Sequence, residues 1–144
     1  MAATTEKTIV IQSRLEEAPQ VQQAVVDELQ SRDYPSEAVF AVRLAMDEAL
    51  SNAIRHGNES DPEKTVTTTF TCTDKKITIS IEDQGPGFVP DELPDPTAEE
   101  NLERPHGRGV MLMNAYMTDV SYADHGRKVI LTKHRDCQLP NREG

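Results

Sequence analysis

The stretch DEALSNAIRHG, residues 47–57, decides the fold of this chain. It closes a segment with apolar residues at helical spacing, and Pro35 and Ser36 supply the start signal, with Ser36 as the expected N-cap. Gly57 is expected to end the helix in a left-handed conformation, with a cationic His56 in the last turn beside the negative end of the helix dipole. The apolar stripe predicted for the helix is Val39, Val42, Met46, Ala49 and Ala53.

Two polar residues of this stretch, Glu48 and Asn52, lie one helical turn apart and away from the apolar stripe. An acid and an amide on one strip of a helix can share a task, because one accepts a proton and the other offers a carbonyl oxygen to a hard cation. The same spacing is common on solvated helix faces, so the pair alone leaves a purely structural interpretation open.

The segment DQGPGF, residues 83–88, follows a strand of alternating isoleucines. Asp83 keeps the parity of those isoleucines, so its carboxylate is expected to face the helices, where it needs a hydrogen-bond partner such as an adenine amino group. Gly85 and Gly87 would let the backbone turn sharply and approach a ligand closely. The alternative is a strand-ending turn in which Asp83 caps backbone amides.

The segment HGRG, residues 106–109, opens an apolar helical pattern over Val110–Tyr116. The free N–H groups and the positive dipole end of a helix start form a natural phosphate site, to which Arg108 could add charge. The segment lacks the third glycine of a dinucleotide fingerprint, so a Rossmann fold is disfavoured. The chain also has no Gly-Lys-Ser/Thr phosphate loop.

The rest of the chain predicts one further helix, five short strands and a long loop. Together the elements indicate a two-layer α+β sandwich, in the broad α/β class, with a mixed, mainly antiparallel sheet and helices on one face. The acidic, proline-rich loop at 84–105 is expected to be an active-site lid, and the tail at 136–144 to be frayed. The predicted helix is Pro19–Arg32, and the strands are Thr8–Gln12, Val66–Thr73, Lys76–Glu82, Val120–Ala123 and Lys128–Lys133.

Composition restricts the functional classes. A chain of 144 residues with 36% hydrophobic content can bury one core, so we predict a single domain over residues 1–144. The net charge of -10 argues against direct binding of nucleic acid. No apolar run could span a bilayer and Met1–Lys7 has no signal-peptide core, which predicts a cytoplasmic protein without a membrane partner. Cys72, Cys137 and the histidines lack metal-ligand spacing, so we expect reduced thiols and no histidine-held metal.

The three segments in this order resemble the N box and the two glycine boxes of GHKL ATPases, which share the Bergerat ATP-binding fold. The order is acid-x-x-x-Asn-x-x-x-His-Gly, then Asp-x-Gly-x-Gly-Phe, then Gly-x-Gly, and it covers about residues 8–134. The run NAIRHG, residues 52–57, and the compact form are similar to the anti-sigma factor serine kinases of that superfamily.

The resemblance implies a site for ATP and Mg²⁺. It implies that Glu48 is the general base that draws the proton from a serine hydroxyl, that Asn52 is a ligand of Mg²⁺ and that Asp83 hydrogen-bonds the adenine. The other residues that the family pattern assigns to nucleotide binding are His56, Gly85, Gly87, Gly107, Arg108 and Gly109.

The resemblance also implies partners: a STAS-domain anti-anti-sigma protein that is phosphorylated on serine, a sigma factor that is sequestered, and a second copy in a homodimer. Two other activities stay open, a nucleotide-gated regulatory binding module that transfers no phosphate and a slow ATPase that acts on water. The presence of Glu48 favours the kinase, because a pure binding module needs no base there.

Overall fold

The computed structural model describes residues 4–58, 61, 63–85, 116–123 and 127–135. The predicted helices and strands within these ranges are present, with small shifts at their ends. The observed elements are β1 (Thr5–Gln12), a 3-10 turn (Leu15–Glu17), α1 (Ala18–Ser31), α2 (Ser36–Asn52), a π turn (Ala53–Gly57), β2 (Thr65–Cys72), β3 (Lys76–Glu82), β4 (Asp119–Ala123) and β5 (Lys128–His134).

The strands form one five-stranded sheet in the order β1-β2-β3-β5-β4. All four pairings are antiparallel, so the described residues contain no parallel part of the expected mixed sheet. In the central register, Ile79 of β3 lies opposite Phe70 of β2 and Leu131 of β5. Burial alternates along β2 and β3, which leaves one face covered and the other, threonine-rich face open.

Helices α1 and α2 cover the buried face of this sheet, as predicted. Their apolar stripes belong to one hydrophobic cluster with the inward side chains of the sheet. Each fully buried Val, Leu or Ile side chain stabilises such a core by about 1.5–3 kcal/mol relative to an exposed one. The fully buried members from the helices are Val21, Val25, Leu29, Val42, Met46 and Leu50.

The start of α2 differs by one residue from the prediction. Pro35, and not Ser36, holds the N-cap position, with an extended ψ of 146° and no side-chain cap. Its carbonyl oxygen accepts the N–H groups of Ala38 and Val39 at 2.9 and 3.1 Å. The serine is the first helical residue, and the fixed φ of the proline sets the entry of the chain into the helix.

Arg135 ties together the end of the sheet where β3 begins. Its guanidinium donates to the carbonyl oxygens of Arg32 and Asp33 at 2.8 and 2.7 Å and lies 5.1 Å from the ring centre of Tyr34. The Tyr34 hydroxyl in turn donates to the carbonyl of Thr73 at 2.5 Å. These contacts join the α1–α2 connection to the β2–β3 hairpin.

Two expectations drawn from composition can be compared with the described residues. Cys72 is buried and forms no disulfide within the described residues, and burial raises its pKa. Cys137 and the tail at 136–144 lie outside the described residues. No helix in the described ranges combines the length and the apolar character needed to cross a membrane.

Candidate functional site

Glu48 and Asn52 occupy the C-terminal end of α2, and both side chains are half-buried. They therefore do not lie on a fully solvated helix face, which was the structural interpretation left open by the sequence. Partial burial raises the pKa of Glu48, the neighbouring Asp47 carboxylate raises it further, and Arg55 lowers it. A carboxylate with a raised pKa is better matched to proton abstraction near neutral pH than an ordinary one.

The helix widens into the π turn Ala53–Gly57 directly after Asn52. The N–H of Asn58 donates to the carbonyl oxygen of Ala53 at 2.8 Å, an i to i−5 bond. Short π turns within helices are frequent at functional sites. The widening was not predicted, because the apolar period of the segment runs on through Ala53 without a visible break.

Gly57 lies directly against the carboxyl group of Asp83. A Cβ atom at Gly57 would overlap that carboxyl group, so any other residue here would require the Asp83 side chain to move. The expected left-handed conformation at Gly57 was wrong, since its φ lies outside the left-handed range. The glycine permits close packing here between the helix end and the residue after β3.

The Asp83 carboxyl group has two different oxygens in this structure. Oδ1 accepts the N–H of Gly85 at 2.8 Å, which is the capping bond of the alternative interpretation. Oδ2 has no hydrogen-bond partner among the residues that the structure describes. Burial raises the pKa of Asp83, whereas the Gly85 N–H, Arg127 and Lys64 lower it. Asp83 thus combines a held oxygen with one that can accept a ligand N–H.

Gly85 completes a cradle of backbone atoms beside this carboxyl group. The residue is buried, and a Cβ atom at Gly85 would overlap the carbonyl oxygen of Gly57. The two glycines therefore bring the end of the π turn and the turn after β3 into direct contact. The sequence predicted a close approach of Gly85 to a ligand, and this stays a prediction, whereas the close contact in the structure is with the helix end.

Asn58 was missed by the sequence argument. It is fully buried, its Nδ2 donates to the carbonyl of Thr65 at 2.9 Å, and its Oδ1 accepts the N–H of Gln84 at 2.7 Å. The Gln84 side chain returns to accept the N–H of Thr65 at 2.7 Å. No local pattern indicates these contacts, because they join Asn58 to Thr65 and to Gln84 in other elements.

Arg127, immediately before β5, was also missed. Its carbonyl oxygen accepts the N–H of Asp83 at 2.9 Å, and its Nε donates to the carbonyl oxygen of Gly85 at 2.7 Å. Because these partners lie more than forty positions apart in the chain, no local pattern indicates the contact.

The other predicted site residues are exposed or lie outside the described residues. His56 is exposed in the π turn. Of the predicted lid over residues 84–105, the structure describes only Gln84 and Gly85. The remaining predicted ligands and the predicted helix before Tyr116 lie outside the described residues: Gly87, Gly107, Arg108, Gly109 and 110–115.

The described residues fit the base of a nucleotide and part of a magnesium shell. The half-buried carboxylate of Asp83 suits an amino group, and Asn52 and Glu48 offer the oxygen donors that Mg²⁺ prefers. No cluster of three potential metal-binding His, Cys, Asp or Glu residues occurs in the described ranges. Mg²⁺ commonly binds proteins through one or two side chains together with substrate phosphates and water, so this sparse donor set fits an ion carried in with a nucleotide.

Comparison with known families decides which family this chain belongs to. The family model of the histidine kinase-like ATPase domain matches residues 11–133. The chain belongs to this family. An anti-sigma F factor of Clostridium perfringens is 34% identical over 103 residues, which cover 67% of this chain and 73% of the relative. The serine-protein kinase RsbW of Listeria monocytogenes is 25% identical over 105 residues, covering 68% and 67% of the two chains.

The fold of this histidine kinase-like ATPase domain also matches a solved structure. The crystal structure of the RsbU and RsbW domains of Rv1364c from Mycobacterium tuberculosis superposes with a TM-score of 0.59 at 13% identity. The match covers 91% of this chain and 31% of that longer chain. The likeness supports the shared fold, while the sequence relatives connect this domain with anti-sigma factors and serine kinases.

Proposed function

We propose that this chain is an ATP-dependent protein-serine kinase and anti-sigma factor that phosphorylates a STAS-domain anti-anti-sigma protein. One observation carries the proposal: Gly57 lies against Asp83, so the helix that bears Glu48 and Asn52 ends at the residue proposed to recognise the base. The names of the relatives, anti-sigma F factor and serine-protein kinase RsbW, support the same reading.

The base of ATP binds at Asp83 in this proposal. Oδ1 is held by the N–H of Gly85 at 2.8 Å, and Oδ2 accepts a hydrogen from the adenine amino group. An ionised, half-buried carboxylate makes a stronger hydrogen bond than a neutral acceptor. The glycines Gly57 and Gly85 keep side chains out of this cradle.

The phosphates lie toward Asn52, whose amide oxygen would hold Mg²⁺ together with oxygens of the nucleotide. When bound, the ion offsets negative charge on the phosphoryl group that is transferred. Gly87, Gly107, Arg108 and Gly109 are proposed to complete the nucleotide site, as the family pattern implies.

Glu48 acts as the general base of the transfer. Its carboxylate takes the proton of the partner serine hydroxyl while the serine oxygen bonds to the γ-phosphorus. The bond between that phosphorus and the β,γ-bridging oxygen breaks, and ADP leaves with the electron pair. Its raised pKa favours this role, because a base is most effective when its pKa approaches the working pH.

The wider setting follows from the same proposal. Phosphorylation of the STAS-domain protein weakens its binding, so that the kinase can hold a sigma factor instead. We place this switch in the cytoplasm, with the kinase as a homodimer. Direct contact with nucleic acid is disfavoured by the net charge of -10.

The test is the intact mass of a purified STAS-domain protein after incubation with this chain and Mg-ATP. The unaltered chain should add one phosphoryl group, and Glu48→Gln should lower the rate by about 10²–10⁴-fold while keeping nucleotide binding. Glu37→Gln is the matched control, since it makes the same exchange at an exposed position in the first turn of α2. It should leave the rate near that of the unaltered chain.

The outcome that contradicts the kinase is equally specific. If nucleotide-dependent complexes form without any gain in mass, the chain is a nucleotide-gated binding module. If ATP is hydrolysed and the partner stays unmodified, it is a slow ATPase.

A further inference from the structure

Arg127 holds both ends of the turn that follows β3. Its carbonyl oxygen accepts the N–H of Asp83 at 2.9 Å, one position beyond the last rung of the β3–β5 ladder, where Glu82 faces Lys128. Its Nε donates to the carbonyl oxygen of Gly85 at 2.7 Å. One residue therefore fixes the first and the last peptide group of the Asp83–Gly85 turn.

Gly85 connects Arg127 to the Asp83 carboxyl group by two hydrogen bonds. The N–H of Gly85 donates to Oδ1 of Asp83 at 2.8 Å, while the carbonyl of the same residue accepts from Arg127. Gly85 is also pressed against the Gly57 carbonyl, so the turn has little room to move in that direction. If the bond from Arg127 is lost, the Gly85 N–H is no longer held where it orients the carboxylate.

The charge of Arg127 acts on the same group. Burial raises the pKa of Asp83, and the Gly85 N–H, Arg127 and Lys64 oppose that effect. An ionised carboxylate only accepts hydrogen bonds, whereas a protonated one also donates. A base with an amino group opposite Oδ2 is therefore favoured, and a base with a carbonyl oxygen there meets lone-pair and charge repulsion.

We propose that Arg127 is a positioning residue for base recognition: by holding the Asp83–Gly85 turn, it presents Oδ2 of Asp83 to the amino group of the nucleotide base. The inference rests on the nucleotide binding proposed above and does not depend on phosphoryl transfer. In this proposal Arg127 acts on the base through Asp83, so its removal should affect the recognition of the amino group more than the binding of the phosphates.

The experiment compares two nucleotides on the full chain. Dissociation constants are measured by calorimetry for ATP and for purine riboside triphosphate, which differs from ATP only by lacking the 6-amino group. For Arg127→Ala we expect ATP to bind about 10- to 100-fold more weakly and the analogue less than about threefold more weakly. Arg127→Lys retains the charge and loses the planar Nε–H, so its effect on ATP should be intermediate.

Arg135→Ala is the matched control. Arg135 also donates to backbone carbonyls, those of Arg32 and Asp33 at 2.8 and 2.7 Å, but at the opposite end of the sheet. It should lower the unfolding temperature and leave both dissociation constants within about twofold. This separates a loss of fold stability from a loss of base recognition.

Equal weakening of ATP and of the analogue in Arg127→Ala, or no weakening of either, would overturn the role of Arg127 while leaving nucleotide binding intact. If the unaltered chain bound neither nucleotide, the proposed function and this inference would both fail. A selective loss for ATP supports the inference even if no phosphoryl transfer to a protein is detected.

Discussion

The hydroxyl of Thr68 points into the core from β2 and is fully buried, without a hydrogen-bond partner among the described residues. A buried hydroxyl that has lost its water and gained no partner costs about 1–3 kcal/mol. Thr68→Val replaces that hydroxyl by a methyl group of similar size. We expect the free energy of unfolding in urea to rise by about 1 kcal/mol.

The neighbouring threonine is the control for this exchange. Thr69 lies on the open face of the same strand, and its hydroxyl pairs with that of Thr8 at 3.2 Å. Thr69→Val should change the unfolding free energy by no more than about 0.5 kcal/mol. A loss of stability in Thr68→Val would indicate a hydrogen bond that the structure lacks.

Single residues could be predicted from the sequence where the signal is local. Helical spacing predicts that Glu48 and Asn52 lie on one side of α2, and the alternation of β3 predicts that Asp83 faces the helices. Asn58 and Arg127 act on backbone groups far away in the chain, and no sequence pattern states which distant carbonyl needs a donor. Lys133 shows the same limit, since it is buried in the core face of β5 with Nζ donating to the carbonyl of Tyr116 at 2.9 Å.

At the scale of elements, Asn58 joins the π turn, β2 and the turn after β3. Its side chain donates to Thr65 at 2.9 Å and accepts from Gln84 at 2.7 Å, in a fully buried position. Asn58→Ala leaves the carbonyl of Thr65 and the N–H of Gln84 without these part-buried hydrogen bonds. We expect the free energy of unfolding to fall by about 2–4 kcal/mol, measured in urea.

The control is the asparagine at the end of α2. Asn52 is half-buried, and no side-chain hydrogen bond is found for it within the described residues. Asn52→Ala should change stability by less than about 1 kcal/mol and weaken the binding of Mg-ATP. If Asn58→Ala were as stable as the unaltered chain, the hydrogen bonds of the Asn58 side chain would not be what holds these three elements together.

The elements themselves were predictable where periodicity extends over several residues. The alternation in β3 gave its bounds without error, and the apolar stripe of α2 gave the buried face. The π turn was not predictable, because inserting a wider turn at Ala53–Gly57 shifts few apolar positions and leaves the pattern looking α-helical. The predicted N-cap of α2 was one residue too late, because Pro35 and Ser36 both carry start signals.

The whole molecule divides its sheet into two ends with different physical characters. At the end where β3 begins, Arg135 and Tyr34 donate hydrogen bonds to backbone carbonyls. In the same region, Arg32 forms salt bridges with two acidic side chains. At the end where β3 stops, Glu48 and Asp83 are carboxyl groups with raised pKa values. Natural proteins commonly accept such local instability at functional sites and compensate for it elsewhere.

This division predicts how stability depends on pH. Burial raises the pKa of both carboxyl groups. At Glu48, Asp47 raises the pKa further and Arg55 lowers it. At Asp83, the Gly85 N–H, Arg127 and Lys64 lower it. Between the ordinary and the raised pKa, the native state binds more protons than the unfolded state. Stability from these two groups is therefore full at acid pH and is lost as the pH rises through the raised pKa values.

The double variant Glu48→Gln with Asp83→Asn removes both charges and should remove this loss. Solvent screens the two partly exposed groups, so we expect the variant to be more stable by on the order of 1 kcal/mol at about pH 7.5, with the difference vanishing below about pH 4. Urea unfolding without nucleotide, at several pH values, measures the difference. Exchange of the exposed acids Glu37 and Glu63 for Gln is the control and should not reproduce that dependence. A gain that is constant with pH would mean that the variant acts through packing, because only a proton-linked effect disappears when both native carboxyls are protonated in the folded and the unfolded chain.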